Sequence, residues 1–180
     1  MELNKLKIME IQNNIEEYEK IITKLVDKQV RLYCKDLDTY IKEISQILNN
    51  NEMDITDAFL ESVILQLPKY MYWASEGQEA LSLRADLAKT VKNEEFLKQL
   101  ETCTGTVSKK NMEAELKILH ENFAYIIYVR SANKINLRLK YAMELLQSAK
   151  KLLSKRIHDT WETSYTNDIE TRYNNSKKKF

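Results

Sequence analysis

The chain has 180 residues but only two glycines and one proline, although average usage of about 7% and 5% would place roughly 21 such residues in it. Because sheets need turns, this scarcity excludes an all-β fold, and two glycines that lie 28 residues apart cannot form a phosphate-binding loop. The net charge of +1 conceals an asymmetry, since residues 1–60 carry −4, residues 61–105 carry −2 and residues 106–180 carry +7. A basic C-terminal part of this kind favours a polyanion or an acidic protein surface as its partner.

The first predicted element is a long helix over residues 1–50, which contain no glycine or proline. Its apolar residues recur at alternating spacings of three and four, a heptad pattern typical of helices that pack along a seam. The pattern shifts by one position after Leu25, so we expect the apolar stripe to move around the helix there. We predict that this helix serves oligomerisation or binding of a partner. The two parts of the stripe are Ile8, Ile11, Ile15, Tyr18, Ile22 and Leu25, followed by Val26, Val30, Tyr33, Leu37, Tyr40, Ile44 and Ile47.

A helical core is predicted over residues 54–158, which keep helical apolar spacing with few interruptions. Asp54 or Thr56 supplies the N-cap of its first helix. Pro68 lacks a backbone N–H donor, so we expect it to kink this helix or to divide it in two. Gly77 marks a second expected kink.

A loop is expected at residues 102–107, because Gly105 interrupts the helical pattern there. Residues 108–158 then contain no glycine or proline and carry the most regular heptad seam of the chain. This regularity predicts long antiparallel or coiled-coil-like contacts, in an all-α protein that is elongated and oligomeric. Residues 160–180 are polar, and we expect this basic tail to fray or to be disordered. The seam consists of Tyr125, Tyr128, Ala132, Ile135, Leu139, Ala142, Leu146, Ala149 and Leu153.

Seven cations accompany this seam and occupy one arc of about 160° on a helical wheel. Between the first and the last of them, Glu144 is the only acidic residue. A stripe of one sign favours the phosphates of single-stranded nucleic acid, whose binding releases counterions and depends strongly on salt. The alternative partner is an acidic protein surface, such as the N-terminal helix around Glu16, Glu17 and Glu19. The predicted nucleic-acid-binding stripe consists of Arg130, Lys134, Arg138, Lys140, Lys151, Lys155 and Arg156.

Aromatic residues form a second group of candidate contacts. Tyr70, Tyr72 and Trp73 follow the proline, and Tyr125 and Tyr128 begin the C-terminal seam. Nucleic-acid-binding proteins use exposed rings to stack bases. Rings at helical spacing more often fill a groove in the core, so we expect core packing for both groups, with stacking as the alternative.

No catalytic site is expected. His120 and His158 lie 38 residues apart without a metal-binding motif around them. Cys34 and Cys103 show no disulfide or zinc spacing, which favours a reducing compartment. The N-terminal residues contain neither a signal-peptide core nor a membrane-spanning run. The sequence therefore predicts a soluble, cytoplasmic protein that is not an enzyme and that has no cofactor, metal ion or membrane partner.

Short runs spread over residues 60–158 form a pattern that is found in one group of helical phage proteins. They are Leu67-Pro68-Lys69-Tyr70, Gly105-Thr106-Val107-Ser108-Lys109-Lys110, Ala114-Glu115, Ile126-Ile127-Tyr128, Arg130, Lys134-Ile135, Leu137, Ser148 and Lys150-Lys151. In these runs the chain resembles the UvsY-like recombination mediators of T-even phages.

The resemblance implies an oligomeric, ring-forming helical protein that binds single-stranded DNA and helps to load a RecA-like recombinase by displacing the single-strand-binding protein. It also implies a DNA contact at a basic pair ahead of an aromatic residue, matched here by Lys89 and Lys92 ahead of Phe96. The expected location is then the cytoplasm of the host cell. The alternative is a non-enzymatic coiled-coil assembly protein or a host-factor-binding phage protein that uses the N-terminal seam.

Overall fold

The computed structural model describes residues 2–50 and 55–177, with side chains described for residue 13 and for residues 15–49, 55–163 and 165. Within these ranges the chain forms four helices and no strand, which confirms the predicted all-α fold. The helices are α1 (Glu2–Asn50), α2 (Asp57–Thr102), α3 (Val107–Lys117) and α4 (Leu119–Lys177).

The start of α2 and the turn before α3 follow the local sequence. The Thr56 hydroxyl accepts a hydrogen bond from the Phe59 N–H at 3.1 Å, which satisfies one of the free donors of the first turn. Thr56 is therefore the cap, while the alternative, Asp54, lies outside the described residues. Gly105 has a φ of 116°, a conformation that disfavours residues with a Cβ, and it lies in the predicted loop.

A turn at Ile118 separates α3 from α4, where the sequence predicts one continuous helix. Ile118 has a φ of −104° and a ψ of 23°, and only 5% of its surface is exposed. Just before it, the Lys117 ammonium donates a hydrogen bond to the Thr102 hydroxyl at 3.3 Å, which ties the end of α3 to the end of α2. Tertiary contacts rather than a helix-breaking residue therefore accompany this turn.

One uninterrupted helix, α2, contains both residues at which a break or kink was expected. Pro68 therefore does not divide the segment into two helices, and the neighbouring Leu67 is fully buried. Gly77 has a packing role, because a Cβ at this position would overlap the side chain of Tyr33 on α1. Its lack of a side chain thus permits the close approach of α1 and α2.

The helix α4 continues well beyond the predicted core. Residues 160–177 are helical, whereas the sequence predicts a frayed or disordered tail there. The hydroxyls of Thr160 and Thr163 donate hydrogen bonds at 2.8 Å to the carbonyls of Arg156 and Asp159, four residues earlier. The absence of glycine and proline from this stretch allows the helix to continue.

The chain forms two compact units, each assembled from segments that are distant in sequence. The first unit comprises Met1–Asp38 and Tyr70–Leu139, and the second comprises Thr39–Lys69 and Lys140–Phe180. This division differs from the predicted one, which follows the chain as an N-terminal helix, a helical core and a tail. Three helices, α1, α2 and α4, contribute a segment to each unit.

Each unit has its own apolar core, made largely of small and branched aliphatic residues. The buried apolar residues of the first unit are Val26, Val30, Cys34, Leu37, Ala74, Leu81, Ala85, Cys103, Ala114, Ile118, Ala132 and Ile135. Those of the second unit are Ile44, Leu60, Val63, Leu67, Ala142, Leu146 and Ala149.

The apolar stripe of α1 and the seam of α4 differ in how many of their residues are buried. Every residue of the α4 seam is buried or half-buried, which confirms it as a packing face. The later part of the α1 stripe, beginning at Val26, is also buried or half-buried. In the earlier part, Ile15, Tyr18 and Leu25 remain 58%, 51% and 41% exposed, and the side chains of Ile8 and Ile11 lie outside the described residues.

Candidate nucleic-acid interface

The seven cations of the predicted stripe divide into two sets by their position on the α4 wheel. Measured from Arg130 at zero, the seam centres near 150°. The inner edge, at about 40–80° and next to the seam, consists of Lys134, Arg138 and Arg156. The outer edge, at about 280–360°, consists of Arg130, Lys140, Lys151 and Lys155.

In the first unit, the inner edge is neutralised by aspartates of α1. The Lys134 ammonium donates to the Asp27 carboxylate at 2.5 Å. The Arg138 Nε–H donates to both carboxylate oxygens of Asp38, at 2.7 and 3.0 Å. The hydrogen bond from Lys134, together with its charge and that of Arg138, lowers the pKa of Asp27 below its ordinary value.

In the second unit, Arg156 completes the inner edge by binding the start of α2. Its guanidinium donates to the Ile55 carbonyl at 2.5 Å and to the Asp57 carboxylate at 3.1 Å. Asp57 lies in the first turn of α2, where a negative charge also interacts favourably with the helix dipole. One cation thus ties α4 to both the backbone and a side chain at the α2 N-terminus.

Two of these contacts confirm the N-terminal helix as the alternative partner of the stripe, but through other acidic residues than those predicted. The carboxylates that meet the inner edge are Asp27, Asp38 and Asp57, each about 100 residues from its cation. The predicted partners Glu16, Glu17 and Glu19 are exposed, and the described contacts include no ion pair for any of them.

The outer edge retains its charge. All four of its cations are exposed, and none forms an ion pair or a hydrogen bond with another described residue. Lys140, Lys151 and Lys155 belong to the second unit, whereas Arg130 belongs to the first. Lys151 and Lys155 are four residues apart and therefore neighbours on the helix surface.

The basic pair implied by the family resemblance lies in the first unit. Lys89 is exposed, whereas Lys92 is half-buried and its ammonium lies 5.2 Å from the centre of the Tyr125 ring. This is a cation–π distance, so Lys92 already has an intramolecular partner. Lys98, six residues after Lys92, pairs with Glu95 at 3.5 Å.

The aromatic residues do not all pack as the sequence predicts. Tyr125 and Tyr128 are half-buried, in line with packing beside the seam. Tyr72 and Trp73 are 57% and 67% exposed, so the expectation that they fill the core is wrong. Their rings meet edge to face with centres 5.5 Å apart.

Trp161 and Tyr165 are two of the most exposed large side chains of the described structure, and no sequence-based prediction concerned them. They are 73% and 71% exposed and belong to the second unit. Both fall in the segment predicted to be a disordered tail. The sequence contains a signal that predicts their placement on one helix face, namely their spacing of four residues within a stretch free of glycine and proline.

The thiols and metal-binding residue types offer no comparable site. Both cysteines are free and buried, and burial raises the pKa of Cys34 to about 11. Among the described side chains, only His158, Asp159 and Glu162 bring three potential metal ligands within 4.8 Å of one another. All three are exposed, and His158 pairs with Glu162 at 3.7 Å on the same helix.

Comparison with known proteins does not assign the chain to a family. No family model, curated protein or solved structure matches it. Within the described ranges, none of the helices contains an apolar stretch of the length and purity needed to cross a bilayer.

Proposed function

We propose that this protein binds single-stranded DNA along its sugar-phosphate backbone, without sequence preference, through the outer edge of α4. In this proposal it is a non-enzymatic accessory protein of DNA recombination that assists the loading of a recombinase. The observation that carries the DNA-binding part is the exposure of Lys140, Lys151 and Lys155, which have no counterion among the described residues.

The division between the edges supports a backbone ligand. A stripe that served only internal pairing would be neutralised along its whole width, but only the cations next to the seam have carboxylate partners in the described part of the chain. Lys151 and Lys155 are about 6 Å apart along the helix axis, so they present a straight row of charge that a flexible strand can follow. Each phosphate that they neutralise releases counterions into solution.

The recombination role rests on the resemblance to UvsY-like mediators. It implies a RecA-like recombinase and a single-strand-binding protein as further partners. Three lysines on one helix bind a strand weakly, so affinity in this proposal comes from several copies of the chain acting on one strand. Self-association is therefore part of the proposal.

Fluorescence anisotropy with a labelled thymidine oligonucleotide tests the binding. If three phosphates are neutralised, the slope of log K against log salt is about −2, so Kd rises roughly 20-fold between 50 and 200 mM salt. We expect the K140E/K151E/K155E variant to bind at least tenfold more weakly than the unaltered chain. Lys151→Glu and Lys42→Glu form the matched pair, because each reverses the charge of one exposed cation of the second unit, on α4 and on α1 respectively, and only the first is expected to weaken binding.

Two results contradict the proposal. One is no binding of the oligonucleotide at 50 mM salt. The other is equal binding by the Lys151→Glu and Lys42→Glu variants. A duplex of the same length tests the preference for single strands, and tighter binding to the duplex would overturn that preference.

A second candidate function is a coiled-coil assembly protein, favoured by the outward face of α2 in the first unit. Leu83, Leu87, Val91 and Leu97 are 60%, 58%, 54% and 60% exposed and lie on one side of the helix. An exposed apolar row of this length is typical of protein interfaces. The anisotropy titration separates the candidates, because a protein that serves only assembly forms its oligomer in light scattering but does not bind the oligonucleotide at 50 mM salt.

A further inference from the structure

We infer that the rings of Trp161 and Tyr165 form a stacking platform for the bases of a single strand whose backbone lies on the outer-edge lysines. This inference rests on the proposed function and assigns a base-binding site to it. The site lies within the second unit, on the part of α4 that follows the last lysine of the outer edge.

The two rings have no packing role in the described chain that accounts for their position. They are 73% and 71% exposed, and neither forms a ring pair or a hydrogen bond with another described residue. Being four residues apart, they are neighbours on one helix face. Large aromatic faces left open to water in this way are the surfaces on which nucleic-acid-binding proteins stack bases.

Around the helix, the rings lie between the seam and the outer-edge lysines. On the wheel used above, Trp161 and Tyr165 lie at about 220° and 260°, while Lys140, Lys151 and Lys155 lie between about 280° and 340°. Lys155 precedes Trp161 by about 9 Å along the helix axis and lies about 120° from it around the axis, whereas Lys151 precedes it by about 15 Å and lies about 80° from it. A strand whose phosphates lie on the lysines therefore has its bases within reach of the rings.

The acidic residues of this segment fit bases better than phosphates. Asp159 and Glu162 follow the last lysine, and both are exposed. Glu162 also pairs with His158, at 3.7 Å. Carboxylates repel the phosphates of a strand but not its uncharged bases, so the lysine end of the site takes the backbone and the aromatic end takes the bases.

The two tryptophans of the chain allow a direct test, because each serves as the control for the other. Trp73→Phe leaves Trp161 as the sole tryptophan, and Trp161→Phe leaves Trp73, which is similarly exposed at 67%. Both variants are to be titrated with a thymidine oligonucleotide at 50 mM salt. We expect quenching of the tryptophan emission in Trp73→Phe and no change in Trp161→Phe.

Affinity measurements extend the test. Trp161→Ala and Tyr165→Ala are each expected to weaken oligonucleotide binding roughly tenfold, the loss typical of one stacked base. Trp161→Phe retains a ring and is expected to bind like the unaltered chain, and so is the control Trp73→Ala. Because both target side chains are exposed, thermal unfolding of these variants should match that of the unaltered protein.

The outcomes separate this inference from the proposed function. If the oligonucleotide binds and the lysine variant K140E/K151E/K155E loses binding, but Trp161 emission and the affinity of Trp161→Ala are unchanged, the platform is refuted and backbone binding stands. If the unaltered chain does not bind the oligonucleotide, both fail together.

Two other occupants of this face are tested in the same assays. A change of Trp161 emission with protein concentration, together with a lower mass of Trp161→Ala in light scattering, would show that a second copy covers the rings and would overturn the inference. A blue shift of Trp161 emission with vesicles of phosphatidylcholine and phosphatidylserine, without quenching by the oligonucleotide, would also overturn it, because lysines beside aromatic rings fit a membrane surface too.

Discussion

The two edges of the α4 stripe contain the same residue types, but within the described residues the cations of the inner edge form ion pairs and those of the outer edge do not. Lys134, on the inner edge, donates to Asp27 at 2.5 Å. Lys151, on the outer edge of the same helix, is exposed and has no ion-pair partner within the described residues. Their sequence neighbourhoods do not separate them, since each precedes further cations and apolar seam residues. The difference is their angle to the seam.

This comparison shows how a packed helix sorts its charges. A cation next to the seam lies within reach of the helix that packs there, so it can form an ion pair with a carboxylate of that helix and stabilise the fold. A cation on the far side has no ion-pair partner among the described residues, so its charge remains available to an external ligand. The inner edge of α4 is therefore expected to act in stability and the outer edge in binding.

Truncation of a buried seam residue should have the largest effect on the free energy of unfolding, because the packing of the seam fixes the orientation of both edges. Ile135 has no exposed surface, and we expect Ile135→Ala to lower the free energy of unfolding by about 2–4 kcal/mol. Leu137→Ala is the matched control, because Leu137 is 66% exposed and its truncation should cost less than about 0.5 kcal/mol. Urea unfolding measures both, and equal losses would refute the assigned face of α4.

Substitutions at the inner edge are expected to have an intermediate effect on the free energy of unfolding. Arg138→Gln removes the charged contact with Asp38, and we expect it to destabilise the protein by about 1 kcal/mol because both side chains remain partly exposed. Lys151→Gln, the outer-edge counterpart, should change the unfolding free energy by less than about 0.5 kcal/mol. The same pair should show the reverse order in oligonucleotide affinity. Equal stability losses would show that the two edges do not differ.

The smallest expected effect is the pH dependence of the Lys134–Asp27 contact. Because the folded-state pKa of Asp27 is lowered, mainly by the hydrogen bond from Lys134, its contribution is present above the unfolded pKa and is lost as the pH falls through the folded value. The stability difference between the unaltered chain and Lys134→Gln should therefore shrink as the pH drops below about 4. Lys151→Gln should show no such change in denaturant titrations at several pH values, and a gap that widens in acid would contradict this assignment.

Much of the fold follows from local pattern, and the deviations have physical causes. The α4 seam, the Thr56 cap and the loop at Gly105 were predicted from spacing and residue type, and the structure contains them. No glycine or proline predicts the turn at Ile118. The turn lies beside the contact between the ends of α2 and α3. The helical continuation to Lys177 was missed because polar composition was read as disorder. That error concealed Trp161 and Tyr165.

By itself, the sequence determines that the chain is all-α, that α4 packs through its heptad seam, and that seven cations share one side of that helix. These properties depend on helix geometry and on residues that are close in the chain. Tertiary structure alone decides which of those cations are neutralised, because Asp27 and Asp38 lie 107 and 100 residues from the cations that they meet. Pairing over such distances depends on how the helices pack. Only the packed structure therefore shows which cations form the paired inner edge and which form the unpaired outer edge.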